Sequence, residues 1–212
     1  MRRAIGLAAV VLVVGGCGSP ATPSSDAESP LASPSATEVR ELGAAGDDLE
    51  PGRYTRAGFE PRITFQVGEG WTAEQVGAGL IEVQQGVGSQ HAIAVGFARP
   101  LGSATALEAA EGLAANPALF VSEPEEVTVD GLDGIRIEVE TTDPVDLQPP
   151  MSREVLTLTD GRISIVSGRY LQVTLLDTPD GVLAILLGGS VANWPITLEI
   201  ATPVVDSVTI GE

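Results

Sequence analysis

The sequence predicts an α+β fold, an antiparallel sheet meander flanked by two helices, and three observations support this prediction. Short segments rich in β-branched and aromatic residues alternate with polar residues and are separated by turn sequences such as Asp-Gly and Gly-Glu-Gly. Two segments carry apolar residues at helical spacing, one mid-chain and one C-terminal. The strand-like segments follow one another with short links, which favours antiparallel hairpins.

The chain begins with a segment typical of protein export. Arg2 and Arg3 precede an uncharged, almost wholly apolar stretch at 4–14, and small residues follow it. The stretch is shorter than the roughly 18 apolar residues that a bilayer-spanning helix needs, and it suits the apolar region of a signal peptide. Residues 1–16 are therefore expected to be a cleaved signal peptide.

The tetrapeptide Val14-Gly15-Gly16-Cys17 resembles the lipobox of bacterial lipoproteins. The commonest lipobox has Leu where this chain has Val14, and Ala or Ser where it has Gly15. The resemblance implies that the Cys17 thiol carries a diacylglyceryl group, that cleavage precedes Cys17, and that the new N-terminus is acylated as well, for example with palmitate. Cys17 is the one cysteine of the chain and so has no intrachain disulfide partner; a free structural cysteine is the alternative. Acyl chains contribute about 0.8 kcal/mol of membrane affinity per buried CH₂.

The segment that follows the lipobox is predicted to be a tether. Residues 17–48 contain many Ser, Pro, Ala and Thr and show no apolar periodicity, a composition that cannot bury enough surface to offset the entropy of ordering. We expect a disordered tether over 17–48 and an extracytoplasmic α+β domain over 49–212. The expected location is the extracytoplasmic face of the cell membrane, with membrane lipid as the partner of acylated Cys17.

The charge of the chain limits its partners. It contains 29 acidic residues against 11 basic ones, for a formal net charge of −18. This surface argues against nucleic acid and anionic headgroups as partners, because both require basic surfaces. A cation, a basic protein or a cell-envelope component is compatible with it, and so is the alternative that the charge serves solubility alone.

The predicted elements follow in chain order. Alternation predicts strands at 63–67, 80–84 and 92–97, and a helix capped by Ser103 or Thr105 that ends at Asn116-Pro117. A hairpin turning at Asp130-Gly131 comes next, and further strands are predicted at 154–158, 162–166, 170–176 and 182–187. The last pair turns at 179–181 and is the strongest hairpin pattern of the chain.

The C-terminal helix is predicted to start at Asn193, with Pro195 in its first turn, and to run to about Asp206. Pro203 lies inside this stretch and is expected to kink or end it. The shared apolar face is expected to comprise Trp194, Leu198, Ala201 and Val205.

Three segments, PGRYTRAGFEPRITFQVGEGW, VDGLDGIRIEV and PVVDSVTI, together resemble secreted actinobacterial lipoproteins, some of which have a PsbP-like fold. The resemblance spans about 49–212 and implies an antiparallel sheet flanked by helices. It implies no catalytic residues, because that family has none in common.

The search for reactive motifs assigns no catalytic residue, no metal ligand and no cofactor. His91 is the single histidine, without a Cys or second His to complete a zinc site, and Gly188-Gly189-Ser190 lacks the last glycine of a nucleophile elbow. Three aspartate pairs, 130 with 133, 143 with 146, and 177 with 180, offer hard oxygen ligands for Ca²⁺, but Asp before Gly is also ordinary turn chemistry. The few aromatic residues could stack on a sugar or peptide, or pack the core.

These observations favour a membrane-anchored, non-enzymatic binding or interaction module, with ligand-binding residues not assigned. Two alternatives stay open. A carboxylate-dependent extracytoplasmic hydrolase would need two acids in one pocket with raised pKa values, and a carrier of apolar ligands would need an apolar cavity of several hundred Å³.

Overall fold

The computed structural model describes residues 38–86, 92–144, 149–159 and 161–211. Fifteen strands and two α-helices make up this part of the chain. The strands are β1 Val39–Glu41, β2 Asp48–Leu49, β3 Gly52–Thr55, β4 Arg62–Val67, β5 Trp71–Val76, β6 Leu80–Gln85, β7 Ile93–Ala98, β8 Leu119–Val121, β9 Glu125–Val129, β10 Leu132–Thr141, β11 Ser152–Leu158, β12 Gly161–Val166, β13 Arg169–Thr178, β14 Gly181–Ser190 and β15 Thr209–Gly211. The helices are α1 Ala106–Ala114 and α2 Trp194–Asp206. The α+β class is thereby confirmed.

The strands of the described residues form three sheets rather than one meander. The largest has the order β2-β5-β6-β7-β14-β13-β10-β8, with β9 paired to β10. A second sheet has the order β1-β3-β4-β15, and β11 and β12 pair only with each other. The meander prediction therefore holds for β5-β6-β7, but β7 pairs with β14, not with the next strand along the chain. Helix α1 follows β7 and carries the chain away from this edge, so that the next strand, β8, joins the sheet at its far end.

Each face of the large sheet is covered by a different layer. One face packs against α2 and the four-stranded sheet, with Phe65 of β4 stacked 4.9 Å from Phe97 of β7 between ring centroids. The other face packs against α1 and the β11–β12 hairpin, through Leu156, Leu158 and Ile165 among others. Because both faces are buried, the central strands β7 and β14 are nearly continuous apolar runs.

The predicted cap of α1 is confirmed. The Thr105 hydroxyl accepts a hydrogen bond from Glu108 N at 3.2 Å, and the Glu108 carboxylate reaches back to accept from Ala104 N at 2.9 Å. Asp177, on the neighbouring β13, accepts a hydrogen bond from Ala106 N at 2.7 Å. Side chains thus satisfy donors of the first turn, which an isolated helix would leave to water.

The C-terminal helix is present, and it runs through Pro203 to Asp206. The helix therefore does not end at Pro203, which lies on the exposed side, where a missing backbone donor costs least. Asn193 precedes the helix but makes no side-chain cap; a single 3₁₀ turn, Val191–Asn193, leads in instead. Of the predicted apolar face, Ala201 is fully buried, and Trp194, Leu198 and Val205 are half-buried against the core. Thr197 and Val204 are buried as well.

The folded region begins before residue 49, where the sequence placed the domain boundary. Strand β1 pairs in parallel with β3, and Leu42 is fully buried in the core beside α2 and β4. Residues 38–48 have little apolar content of their own, and they are ordered because β3 offers an unpaired edge and the core accepts one leucine. The expected signal peptide, lipidated Cys17 and first part of the tether lie outside the described residues.

No helix in the described part of the chain combines the length and the apolar character needed to cross a bilayer.

Candidate ligand-binding cleft

A cleft opens between the large sheet and the β11–β12 hairpin, and small residues form its floor. The register aligns Gln84, Ala94, Gly188 and Leu171 in one row across β6, β7, β14 and β13. The next row contains Glu82, Gly96, Leu186 and Val173. Alanine and glycine at three adjoining positions leave a depression in a face that is otherwise filled by leucine and valine.

The hairpin covers this depression from one side. Residues Ile163, Ser164, Ile165 and Val166 of β12 line the cleft, and Ile165 is buried against the sheet. The cleft has a volume of about 180 Å³, and its lining is mainly apolar. This is below the roughly 300–1,000 Å³ typical of pockets for drug-sized ligands, so it suits a compact ligand.

Glu82 supplies the one carboxylate of this cleft among the described lining residues. Its two oxygens accept hydrogen bonds from Gln84 Nε2 at 2.7 Å and Gln75 Nε2 at 3.4 Å. Burial raises the pKa of the Glu82 carboxyl above its usual value, and the like charge of Glu74 on β5 adds to this effect. The Gln84 hydrogen bond and the charge of Arg169 only partly oppose it. A carboxylate has about four acceptor positions, so two hydrogen bonds do not exhaust it.

Arg169 supplies the opposite charge at the other end of the cleft. Its Nη2 donates to Ala92 O at 2.7 Å. Because β13 and β7 are two strand spacings apart, roughly 10 Å, the side chain must cross β14 to make this bond, which takes the guanidinium over the floor of the cleft. Burial lowers the pKa of Arg169, and the Glu82 charge acts against that effect. Two half-buried charges of opposite sign therefore share an apolar cleft.

The acidic residues singled out in the sequence have structural roles where they are described. Asp143 accepts two hydrogen bonds from Arg153, at 2.7 and 2.8 Å, and this partner lowers the pKa of the Asp143 carboxyl. Asp130 accepts from Ile210 N, and Asp133 accepts from Thr128 Oγ1 at 3.2 Å. The described residues contain no group of three or more His, Cys, Asp and Glu side chains placed to hold a metal.

A carboxylate hydrolase requires two acids in one pocket with raised pKa values. A shallow groove beside α1 is lined by Glu126, Asp133 and Asp177, but all three are exposed to solvent and Asp177 is engaged in capping α1. Among the described residues, the cleft at Glu82 is lined by one acid and one guanidinium, while the charge of Glu74 on β5 contributes to the raised pKa of Glu82 without lining the cleft. Gly188, Gly189 and Ser190 are the last three residues of β14, and Ser190 directly precedes the 3₁₀ turn that leads into α2. His91 and Asp146 lie outside the described residues.

The aromatic residues divide between the core and the surface. Tyr54, Phe59, Phe65, Trp71 and Phe97 are buried, as expected for core packing. Phe120 on β8 is 67% exposed, and Tyr170 and Trp194 are half-buried with ring centroids 4.4 Å apart. Burial and a short hydrogen bond to Glu138 raise the pKa of Tyr170.

The sequence did not identify Glu82 and Arg169 as site residues. The alternation on β6 places Glu82 and Gln84 opposite Ile81 and Val83, a pattern typical of a solvent-facing side. The available signal was the cluster of small residues, Ala94, Gly96 and Gly188, inside predicted core strands. Glycine in a strand interior often marks the close approach of a ligand or another backbone.

The chain matches no family model and no curated protein. Solved structures with a similar fold include cyanobacterial PsbP (CyanoP) from Synechocystis, at 13% identity and a TM-score of 0.44, with 80% of this chain and 95% of that chain covered. LpqN from Mycobacterium tuberculosis, involved in cell envelope biogenesis, is 10% identical with a TM-score of 0.41, and 82% and 89% are covered. For a Bacteroides thetaiotaomicron protein the identity is 9% and the TM-score 0.38; 71% of this chain matches, spanning only 45% of that protein. Similarities this low assign neither family nor function.

Proposed function

We propose that this chain is a lipid-anchored, extracytoplasmic binding module without enzymatic activity, and that its ligand site is the cleft between the large sheet and the β11–β12 hairpin. The observation that carries the proposal is the floor of Ala94, Gly96 and Gly188 beneath two half-buried opposite charges. The anchoring rests on the lipobox resemblance at Cys17.

The open floor of the cleft favours a ligand-binding role over an accidental packing defect. A void without function normally closes, because unfilled space forfeits dispersion contacts on its lining. A Cβ built on Gly188 would meet Leu171 Cδ1 at 3.6 Å and Ala94 Cβ at 3.8 Å, which are ordinary contact distances. Alanine would therefore fit at Gly188 without strain, so the open space is a property of this sequence and not a requirement of the fold.

The experiment fills the cleft and measures binding. We expect ligand-observed NMR, with the full-length chain in lipid nanodiscs and empty nanodiscs as the blank, to detect members of a panel of small water-soluble amines, carboxylic acids, amino acids and sugars. Gly188→Val should abolish these signals, because its side chain occupies the floor. Gly188→Ala should weaken them, and Gly211→Val should leave them unchanged, since Gly211 is an exposed strand glycine with open space around its Cα.

Circular dichroism and thermal melting confirm that each variant is folded. Binding that persists in a folded Gly188→Val variant would place the ligand site elsewhere, and a panel in which nothing binds the wild-type chain would contradict the proposed function.

A further inference from the structure

The two charges in the cleft depend on each other. Glu82 on β6 and Arg169 on β13 both line the cleft, on strands separated by β7 and β14. Each is half-buried, so each has lost part of its hydration. Their mutual attraction favours the charged form of each, but burial outweighs it, so the pKa of Glu82 is raised and the pKa of Arg169 is lowered. The opposite charge therefore compensates only part of the lost hydration.

The two opposite charges restrict which ligands can bind between Glu82 and Arg169. A ligand with a single charge would pair with one side chain and leave the other half-buried with its compensation weakened. A neutral apolar ligand would occupy the space without replacing either interaction. A ligand with both an ammonium and an anionic group compensates both side chains at once, and desolvated charges left without a partner are the costlier arrangement.

The apolar part of the lining determines which side chain the ligand can carry. Leu171 and Leu186 on the sheet and Ile163 and Ile165 on the hairpin form apolar walls around the small floor residues. A cleft of about 180 Å³ accommodates one short branched side chain rather than an acyl chain.

Resting on the proposed function, we infer that the cleft binds a small zwitterion of the amino-acid type, with its ammonium at Glu82, its carboxylate at Arg169 and an aliphatic side chain between the sheet and the hairpin. The guanidinium suits a carboxylate because its planar donors match the two oxygens. The ammonium of the ligand replaces the water that contacts the half-exposed Glu82 carboxylate.

The test compares three compounds of the same carbon framework by isothermal titration calorimetry on the full-length chain in nanodiscs. The probes are leucine, 4-methylpentanoic acid, which lacks the ammonium, and 3-methylbutylamine, which lacks the carboxylate. We expect leucine to bind at least about tenfold more tightly than either, because each singly charged probe pairs with only one of the two charged side chains.

Variants of Glu82 and Arg169 show which side chain causes the preference for leucine over each singly charged probe. Glu82→Gln should reduce the preference for leucine over 4-methylpentanoic acid to about twofold or less, and Arg169→Gln should do the same for leucine over 3-methylbutylamine. Arg169→Lys, which keeps the charge, should retain part of that preference. Glu111→Gln on α1 and Arg62→Gln on β4 remove the same charges at exposed positions and should change neither ratio.

The outcomes separate this inference from the proposed function. If the singly charged probes bind as tightly as leucine and Gly188→Val abolishes their binding, the cleft is a ligand site but its ligand is not a zwitterion. If none of the three probes binds while another panel compound binds in the cleft, the zwitterion is likewise overturned. If no compound of either set binds, both proposals are overturned.

Discussion

Glu82 lies on a strand whose alternation is typical of a half-exposed sheet, yet a second layer of the protein lies over its face. The β11–β12 hairpin and α1 pack on the same side of the sheet, so the carboxylate is half-buried and held by two glutamine donors. Because burial disfavours the charged form, Glu82 binds its proton more tightly in the folded chain than in the unfolded one.

The substitution Glu82→Gln is expected to stabilise the folded chain at neutral pH. A raised folded-state pKa means that the folded state holds more protons than the unfolded state once the pH exceeds the usual value of 4.5, and stability falls as the pH rises further. The melting temperature of Glu82→Gln should therefore match that of the wild type most closely near pH 4, exceed it increasingly as the pH rises through the raised pKa of folded Glu82, and keep a constant lead above that pKa. Differential scanning calorimetry across this range measures the difference.

The exposed substitution Glu111→Gln controls for the loss of one negative charge from a chain with net charge −18. Parallel curves for Glu82→Gln and Glu111→Gln would show that burial of Glu82 contributes nothing.

Two successive glycines of β14 lie on opposite faces of the large sheet and have different roles there. Gly188 faces the cleft, and Gly189 faces α2. A Cβ on Gly189 would lie 2.6 Å from Thr197 Cγ2, and Thr197 is itself almost fully buried. The helix therefore packs closely on the strand because one position has no side chain, while the adjacent position leaves the opposite face open.

Replacing Gly189 with alanine should lower the free energy of unfolding by about 1–3 kcal/mol, because α2 must shift to relieve the overlap with Thr197. Chemical denaturation measures the change. The matched variant is Gly188→Ala on the same strand, whose added Cβ meets nothing closer than 3.6 Å and which should be neutral or slightly stabilising.

The double variant Gly189→Ala with Thr197→Ala should recover part of the loss, since two of the three overlapping atoms are removed. Equal stabilities for Gly188→Ala and Gly189→Ala would mean that the close contact between α2 and β14 is not present in solution.

The whole molecule joins an expected membrane anchor to a layered domain of strongly negative charge. The anchor depends on one sulfur atom, because Cys17 is the single cysteine of the chain. The charge repels the domain from anionic lipid, so the proposed attachment depends on the acyl chains expected at Cys17 rather than on surface contact.

Cys17→Ser is expected to abolish labelling by palmitate in the expressing bacterium and to move the chain from the detergent phase to the aqueous phase in Triton X-114 partitioning. The change follows from the loss of the thiol that would carry the lipid. Ser19→Ala alters a neighbouring position and should leave both measurements unchanged. Wild-type chain that is recovered unlabelled would contradict the proposed anchoring.

The fold could be predicted in outline because its local patterns are strong. Thr105 caps α1 as its sequence position indicates, and the long β13–β14 hairpin follows from two apolar runs joined by a Pro-Asp-Gly turn. Strands β1 and β15 were not predicted, because their few residues have no periodicity of their own and are ordered by pairing with β3 and β4.

The sequence by itself determined the α+β class, the positions of both helices and of most strands, and the excess of negative charge. Tertiary structure alone decided that β7 pairs with β14 and that the β11–β12 hairpin lies over the same face, which brings Glu82 and Arg169 to one cleft. Alternation along a strand separates its two faces, but it carries no information about which distant segment covers each face. That choice depends on contacts between residues far apart in the chain.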